Sequence, residues 1–580
     1  MTVDLTSDLV RAYDSVMEEL AVRPDDMALR HRAVLTLARA GATEHAEREY
    51  ARLGLDGVSD NEDVIALGGR LLKDRAFTQS DGDRRRYAGL SAAKYAQALA
   101  VGYSSYAAIN AASMTLIAGD HDKARDYARR VLRLADGGNT SLRGEDAFYR
   151  EATAAEAHLL LGNIREAEVG LAGAIARDPR NYVVHAGTLR QFEMICTVLG
   201  LDSAWLDAYR PPVALFYSGH MFKDDADRET ISDIKGRIGT ALDSLGAGFC
   251  YGALAAGSDI LLAEAVLVRN CELHVVLPMR EEDFLAVSVR PFGEGWLARY
   301  HACRDKAASF RLATYEKYMG EDGTFAFGAE YAMGLALRQA AMLRTRAAHI
   351  VLWDAVETQG AAGTSTDVKR WQATGRRQVV VPFPATLRLK PAGAPTRSIA
   401  GKRTLKAMLF ADVAGFSKLN EESVEAFFTQ VMTPLAAHLR TLPQQPLTAA
   451  TWGDGIYLVF DEAEHAAAAA TELLSGFARI DLAAVGLPGH LALRIGAHYG
   501  PVTKITDPFT RAVNYVGTHT VIAARIEPVA LPGTAYVSEP FAAVLALRAA
   551  DHFKSDYVGQ TDLPKKFGRL RLFSLSAAQR

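Results

Sequence analysis

The 580-residue sequence predicts a multidomain chain in three parts: all-α helical repeats, an α/β unit on a parallel sheet, and an α+β unit of βαββαβ order. Three observations predict it. Residues 1–205 carry apolar side chains at helical spacing with almost no strand-like alternation. Over residues 211–386, short apolar runs alternate with helical stretches, the pattern of a parallel sheet. After a basic linker, residues 404–577 open on a strand, a helix and a hairpin. The length itself exceeds what one hydrophobic core supports.

In the first part, Gly41, Gly119 and Gly162 each follow an apolar helix, and Ala46, Ala124 and Ala167 lie at matching places in the next. "SMTLIAGDHDKARDYARRVLRL" and "EAHLLLGNIREAEVGLAGAIARDP" show the pattern best. It resembles degenerate tetratricopeptide repeats, in which small residues let paired helices approach closely. An unrelated helical bundle is the alternative.

In the middle part, "PVALFYSGH" (212–220), "GAGFCYGAL" (246–254), "ELHVVLP" (272–278), "HIVLWD" (349–354) and "RQVVVPFP" (377–384) read as strands. Gly252 and Gly257 follow the second of these, and Asp259 reads as the cap of the next helix. Small residues before a helix N-terminus either admit a phosphate or serve strand–helix packing. The segment resembles Rossmann-like nucleotide-sensing domains related to the lysine-decarboxylase-like and DNA-processing-protein families. That resemblance implies a nucleotide ligand here, and the repeats before it imply a protein partner. "LRLKPAGAPTRSIAGKRT" lacks apolar periodicity, and residues 387–403 read as a linker.

In the last part, "LKAMLFADV" reads as a strand, 421–442 as an amphipathic helix, and "LTAATWG" with "IYLVFDE" as a hairpin around Asp454. A helix and the strand "LALRIGAHYGPV" follow. This is the ferredoxin-like order, in which the first strand and the central hairpin lie side by side. Asp412 and Asp454 can therefore converge. Two converging carboxylates suit a hard divalent cation, Mg²⁺ or Mn²⁺. The turn after Asp412, with Gly415, Phe416 and Ser417, offers backbone N–H groups to a polyphosphate. A lone aspartate at a strand end is commonly a turn or cap residue.

Over residues 404–577 the sequence resembles the class III nucleotidyl cyclases. "FADVAGFS" is similar to the family's first metal-aspartate motif, "WGDG" to its second, and "RIGAHYGPV" to its central strand. "NYVGTHTVIAARIEP" resembles the helix ending in a catalytic arginine, here Arg525, and "LPKKFGRLRLFSL" the terminal strand with a triphosphate-binding lysine, here Lys565 or Lys566. The resemblance implies attack of a ribose 3′ oxygen on the α-phosphorus, with pyrophosphate leaving. It implies two divalent ions per site on Asp412, Asp454 and the Val413 carbonyl, and charge stabilisation by Arg525. It also implies a homodimer that shares its sites. For Arg525, the residue alone suggests a surface salt bridge with Glu527 or another carboxylate.

The purine-reading residues of the family are absent: Ala450 stands where a lysine is usual, Asn514 where an acidic or hydroxyl residue is usual, and Val521 where an asparagine is usual. Bacterial pyrimidine cyclases of antiphage signalling resemble this pattern, which implies UTP as substrate with Asn514 reading the base. A cytidylate, adenylate or guanylate cyclase, or an inactive dimeric scaffold, are the alternatives. A net charge of −3 gives no reason to expect a global nucleic-acid footprint. Four cysteines without CxxC spacing indicate neither zinc nor disulfides. The cysteine usage fits a reduced, cytoplasmic setting, and since no apolar run is long enough to span a membrane, a soluble protein is expected.

Overall fold

The computed structural model describes residues 8–135, 143–387 and 403–578. Most of the expected linker lies outside the described residues. In the first part ten helices run from Leu9 to Leu199, followed by a 3₁₀ turn, Ala204–Tyr209. Gly41, Gly119 and Gly162 sit at the turns, and Ala46, Ala124 and Ala167 are buried in the following helices. The helix Ser105–Ala118 is buried along most of its length, as expected for one that is apolar all round.

The middle part is a six-stranded sheet, parallel throughout, of β1 (Val213–Gly219), β2 (Ala247–Gly252), β3 (Glu272–Leu277), β4 (Ser309–Leu312), β5 (Ala347–Trp353) and β6 (Arg377–Pro382). The order β4-β3-β2-β1-β5-β6 reverses direction between β1 and β5. The sequence reading lacked β4. Asp259 is not the cap expected of it: Gly257 holds the N-cap position, and the Asp259 carboxylate accepts from the Ala255 N–H of the preceding loop at 3.2 Å.

The last part is a mostly antiparallel sheet of β7 (Arg403–Ala414), β8 (Thr448–Trp452), β9 (Gly455–Phe460), β10 (Ala492–Thr506), β11 (Val513–Val516), β12 (Ala535–Ser538), β13 (Phe553–Leu563) and β14 (Gly568–Ala577). The order is β13-β14-β12-β10-β7-β9-β8, with β11 on β10. Its β10-β7-β9-β8 half is the ferredoxin-like arrangement. The helix expected over 421–442 is interrupted by a π turn, Phe428–Met432, just before Pro434, which has no N–H to give an α-helical ladder.

The long helix Asp322–Met342 joins the middle and last parts. It packs on β1–β3 and on the helix Glu539–Arg548. Tyr331 donates its hydroxyl to Glu539, and Tyr499 donates to Glu330 at 3.2 Å. The first helix, Leu9–Val22, lies against β13, where Tyr557 hydrogen-bonds Asp14.

Burial also sets the response to acid. His349, His498 and His519 are buried, and burial holds His349 and His519 down at about 3 and His498 well below its ordinary value. The unfolded chain takes up these protons near 6.5 and the folded chain does not, so stability is full above pH 6.5 and falls as pH drops below it. Each histidine should cost about 2 kcal/mol by pH 5. The Asp259, Asp367, Asp454 and Glu527 carboxyls, pushed up to about 7 chiefly by burial, act in the opposite direction over the same range, so the histidine share is read by difference. The loss of unfolding free energy between pH 7.5 and pH 5 should be smaller by about 2 kcal/mol in His349→Gln than in the parent, and equal losses would contradict this account.

Candidate active site

Along β7, Ala407, Leu409, Ala411 and Val413 enter the core beneath the helices of 421–439 and Ala463–Ala478, while Met408 and Phe410 pack on the other face with Tyr457 and Ala523. The period of two puts Asp412 on that second face, at the end of the strand. The β8–β9 hairpin turns through Gly453 and Asp454 and pairs with β7. Val413 N–H consequently donates to Asp454 Oδ2 at 3.2 Å. The Asp412 and Asp454 carboxyl groups hydrogen-bond each other. Burial, that hydrogen bond and the Asp412 charge push the Asp454 carboxyl up to about 7. Burial pushes Asp412 the same way, but its bond to Asp454 and the Arg494 guanidinium hold it below the ordinary range.

Arg494 was not singled out in the sequence. It stands opposite Asp412 in the β10–β7 register and donates from Nη2 to Asp412 Oδ2 at 2.6 Å. The same nitrogen lies 3.1 Å from Glu527 Oε1. Burial, then the Asp412 charge, pushes Glu527 up to about 7 against the pull of Arg494. One guanidinium thus faces several acidic groups, and negative charge is in excess. Among the described residues no three His, Cys, Asp or Glu side chains form a ready cation cage. Two touching carboxylates with surplus negative charge nevertheless fit a Mg²⁺-type ion, which usually takes one or two carboxylates plus substrate phosphates.

The turn after β7 has Gly415 at φ 95° and a 3₁₀ turn, Phe416–Lys418. Its internal bonds use the N–H groups of Lys418 and Leu419. The Phe416 ring packs 4.8 Å from that of Phe427, and Ser417 is exposed. The turn is therefore anchored by its phenylalanine with its serine open to solvent.

Arg525 lies on the helix Thr518–Ile526, which crosses β10 closely because Gly496 and Gly500 have no side chains. A Cβ on Gly496 would sit 2.2 Å from Glu527 N, and one on Gly500 2.3 Å from His519 Nδ1. The salt bridge with Glu527 suggested by the residue alone is not formed. Glu527 pairs with Arg494, and the buried Arg525 Nε has no hydrogen-bond partner among the described residues. His519, on the same helix, bonds His498 at 2.7 Å and Thr314 of the middle part at 3.1 Å.

Asn514 is on β11. Its Oδ1 accepts from Tyr515 N–H at 2.8 Å. Thr448 donates to Val513 O at 2.9 Å, which sets β8 beside β11 and puts Ala450 and Asn514 on adjoining elements. Val521 is exposed on the helix of Arg525. Lys565 and Lys566 sit on the turn Pro564–Lys566 between β13 and β14, not on the final strand as expected. That turn belongs to the opposite end of the sheet from β8 and β9. Lys565 is exposed, and the Lys566 side chain lies outside the described ones. A single chain thus gathers Asp412, Val413, Asp454 and the following turn, and leaves Lys565 apart from them.

Comparison with known proteins gives two family matches. Residues 403–576 match the adenylate and guanylate cyclase catalytic domain, and residues 7–115 match the tetratricopeptide repeats-sensor family. The chain therefore carries a class III nucleotidyl cyclase domain behind an N-terminal repeat-sensor region. Cyclases of this class use divalent metal ions. No curated protein matches the chain. Among solved structures, the adenylyl cyclase CyaB from P. aeruginosa is 16% identical, covering 31% of this chain and 98% of that one, with a TM-score of 0.28. The guanylate cyclase domain of RhGC from Catenaria anguillulae in complex with GTP is 17% identical, covering 30% and 98%, with a TM-score of 0.26. The guanylyl cyclase Cya2 is 20% identical, covering 31% and 96%, with a TM-score of 0.26. Among the described residues no helix is long and apolar enough to cross a membrane.

Proposed function

We propose that the protein is a pyrimidine nucleotide cyclase that converts UTP to 3′,5′-cyclic UMP and pyrophosphate, as a messenger in antiphage defence. The observation that carries the base choice is Asn514. With Oδ1 tied to the Tyr515 N–H, its amide NH₂ is the group left to meet a base. A donor suits the O4 carbonyl of uracil and opposes the N4 amino group of cytosine. Ala450 and Val521 bring no polar partner to a purine edge. The role in defence rests on the resemblance to antiphage pyrimidine cyclases.

In this reading Asp412, Asp454 and the Val413 carbonyl would hold two ions, Mg²⁺ or Mn²⁺, which would supply acidification of the ribose 3′ hydroxyl and neutralisation of triphosphate charge. Arg494, donating to Asp412 Oδ2, orients that carboxylate. The turn at Gly415, Phe416 and Ser417 binds phosphate oxygens through its N–H groups. The 3′ hydroxyl gives its proton to solvent water and its oxygen bonds to the α-phosphorus, while the bond from the α-phosphorus to the bridging oxygen breaks and pyrophosphate leaves with the electron pair. Arg525 stabilises charge on the five-coordinate phosphorus. Because Lys565 lies at the far end of the sheet from the aspartates, a second copy of the chain is needed to bring such groups together. The catalytic form in this reading is a homodimer with shared sites.

Equal concentrations of the four NTPs with Mn²⁺ should yield cyclic UMP as the main product, with cyclic CMP next. A buried base contact left unpaired costs about 1–3 kcal/mol, roughly ten- to a hundredfold in rate. Cyclic AMP or cyclic GMP as the dominant product would overturn the pyrimidine reading. Mixing the Asp412→Ala and Arg525→Ala proteins should restore activity in heterodimers. Absence of recovery after demonstrated subunit exchange would rule out a shared site.

A further inference from the structure

Where the three parts of the chain meet there is a cavity of ≈ 480 Å³, lined by none of the candidate site residues. Its walls come from the helical repeats (Arg70, Lys73, Arg190), from the helix Asp322–Met342 (Arg338), and from β13 (Lys554, Ser555). Its volume lies in the range of small-ligand sites.

The charges on these walls do not balance. Arg39 and Arg344 are paired with Glu145 and Glu193, and Lys554 with Asp556. Arg70 and Arg190 share one carboxylate, Asp74, at 3.5 and 3.3 Å, and the Arg70 Nε and Asp74 Oδ2 atoms of that contact make no hydrogen bond. Arg338 makes no direct ion pair among the described residues, although the Glu539 and Asp556 carboxylates on the same walls offset part of its charge. It donates to the Ser555 hydroxyl at 2.6 Å and carbonyl at 3.2 Å, and lies 4.3 Å above the Phe573 ring. Lys73 is buried between two amide oxygens, Asn110 Oδ1 and Gln191 Oε1, each at 2.7 Å, and the nearby Glu156 carboxylate, on the same walls, offsets its charge without pairing with it directly. Buried cations are ordinarily compensated, because leaving them unpaired is costly. Guanidinium forks around a closed space are the usual means of holding a phosphate.

We propose that this cavity binds a small phosphorylated ligand through Arg338, Arg190 and Arg70, and that the bound ligand clamps the repeats, the parallel sheet and the cyclase domain together. Phe77, Tyr106, Tyr149 and Phe573 on its walls leave room for a ring beside the phosphate. The inference does not depend on which nucleotide the cyclase uses.

The test is calorimetric titration of the full chain carrying Asp412→Ala and Asp454→Ala, without divalent metal, so that the catalytic site contributes little. The probes are inorganic phosphate, 5′-UMP and glucose 6-phosphate, which separate free phosphate from nucleotide and sugar esters. At least one should bind with a Kd of about 100 µM or tighter. Arg338→Gln should weaken that binding by about tenfold or more, Arg338→Lys by less, and Arg525→Ala not at all. Arg190→Gln, which leaves Arg70 to neutralise Asp74, should also weaken it and serves as the readout where Arg338→Gln fails to fold. The proposal is overturned if no probe binds more tightly than millimolar, or if the variants at 338 and 190 bind as tightly as the parent.

Discussion

Replacing Asp412 or Asp454 by alanine is expected to lower cyclase turnover by at least about a thousandfold, the loss of several kcal/mol of metal-based charge stabilisation. The fold should survive both changes. Asp454 is partly exposed in a hairpin turn and its carboxyl is already pushed up by burial and by Asp412, so its removal relieves that burden, and water can replace its bonds to the Val413 N–H and Asp412. Removing Asp412 leaves Arg494 its second partner, Glu527. Turnover with NTP and Mn²⁺, followed alongside thermal midpoint and sedimentation, checks the prediction. A variant that stays folded and turns over at near the parent rate would remove that aspartate from the site.

The second large effect is expected at Gly334, far from any reacting atom. On the helix Asp322–Met342, a Cβ at this position would lie 2.0 Å from the Ala543 carbonyl oxygen and 2.8 Å from its Cα. The obstacle is backbone of the helix Glu539–Arg548, so no side chain can swing away to make room. Overpacking a tight core by a methyl group typically costs about 1–3 kcal/mol, and a backbone clash belongs at the upper end. Gly334→Ala should therefore destabilise the chain by about 3 kcal/mol. Gly236→Ala is the control: it is exposed in the helix Arg228–Leu245 with nothing within 4 Å, and should gain about 0.5–1 kcal/mol. Denaturant titration of the two proteins decides the matter; equal midpoints would show that the helices part more easily than their contact suggests.

These contrasts mark what could be read in the sequence. The alternation in "LKAMLFADV" and the Gly-Asp-Gly turn are local signals, and the ferredoxin-like order then brings Asp412 beside Asp454. β4 escaped because it has four residues, all only partly buried, and its Arg311 points into a cluster with Asp8 and Glu539 that no local pattern reveals. Arg494 escaped for a similar reason: a basic residue in an apolar strand was visible, but its meaning lies in the register opposite Asp412. The expected Asp259 cap failed because Gly257 takes the N-cap position and the carboxylate turns to the loop instead. The lysines at 565 and 566 were placed by resemblance to a strand, whereas a proline and a left-handed Lys565 make a turn of that segment.

The helix Asp322–Met342 carries one more consequence. Its buried residues belong to the same continuous apolar cluster as Val34 and Leu37 of the repeats, Phe216 and Phe249 of the parallel sheet, and Leu409 and Val544 of the cyclase domain. Three units that read as separable along the chain therefore share an interior. Cutting between them would uncover apolar surface on every piece, so the cyclase domain is not a cassette that can be exchanged freely between sensors. A lineage that replaced one part would have to re-fit the surfaces of the other two at the same time, which ties the evolution of sensing to that of synthesis.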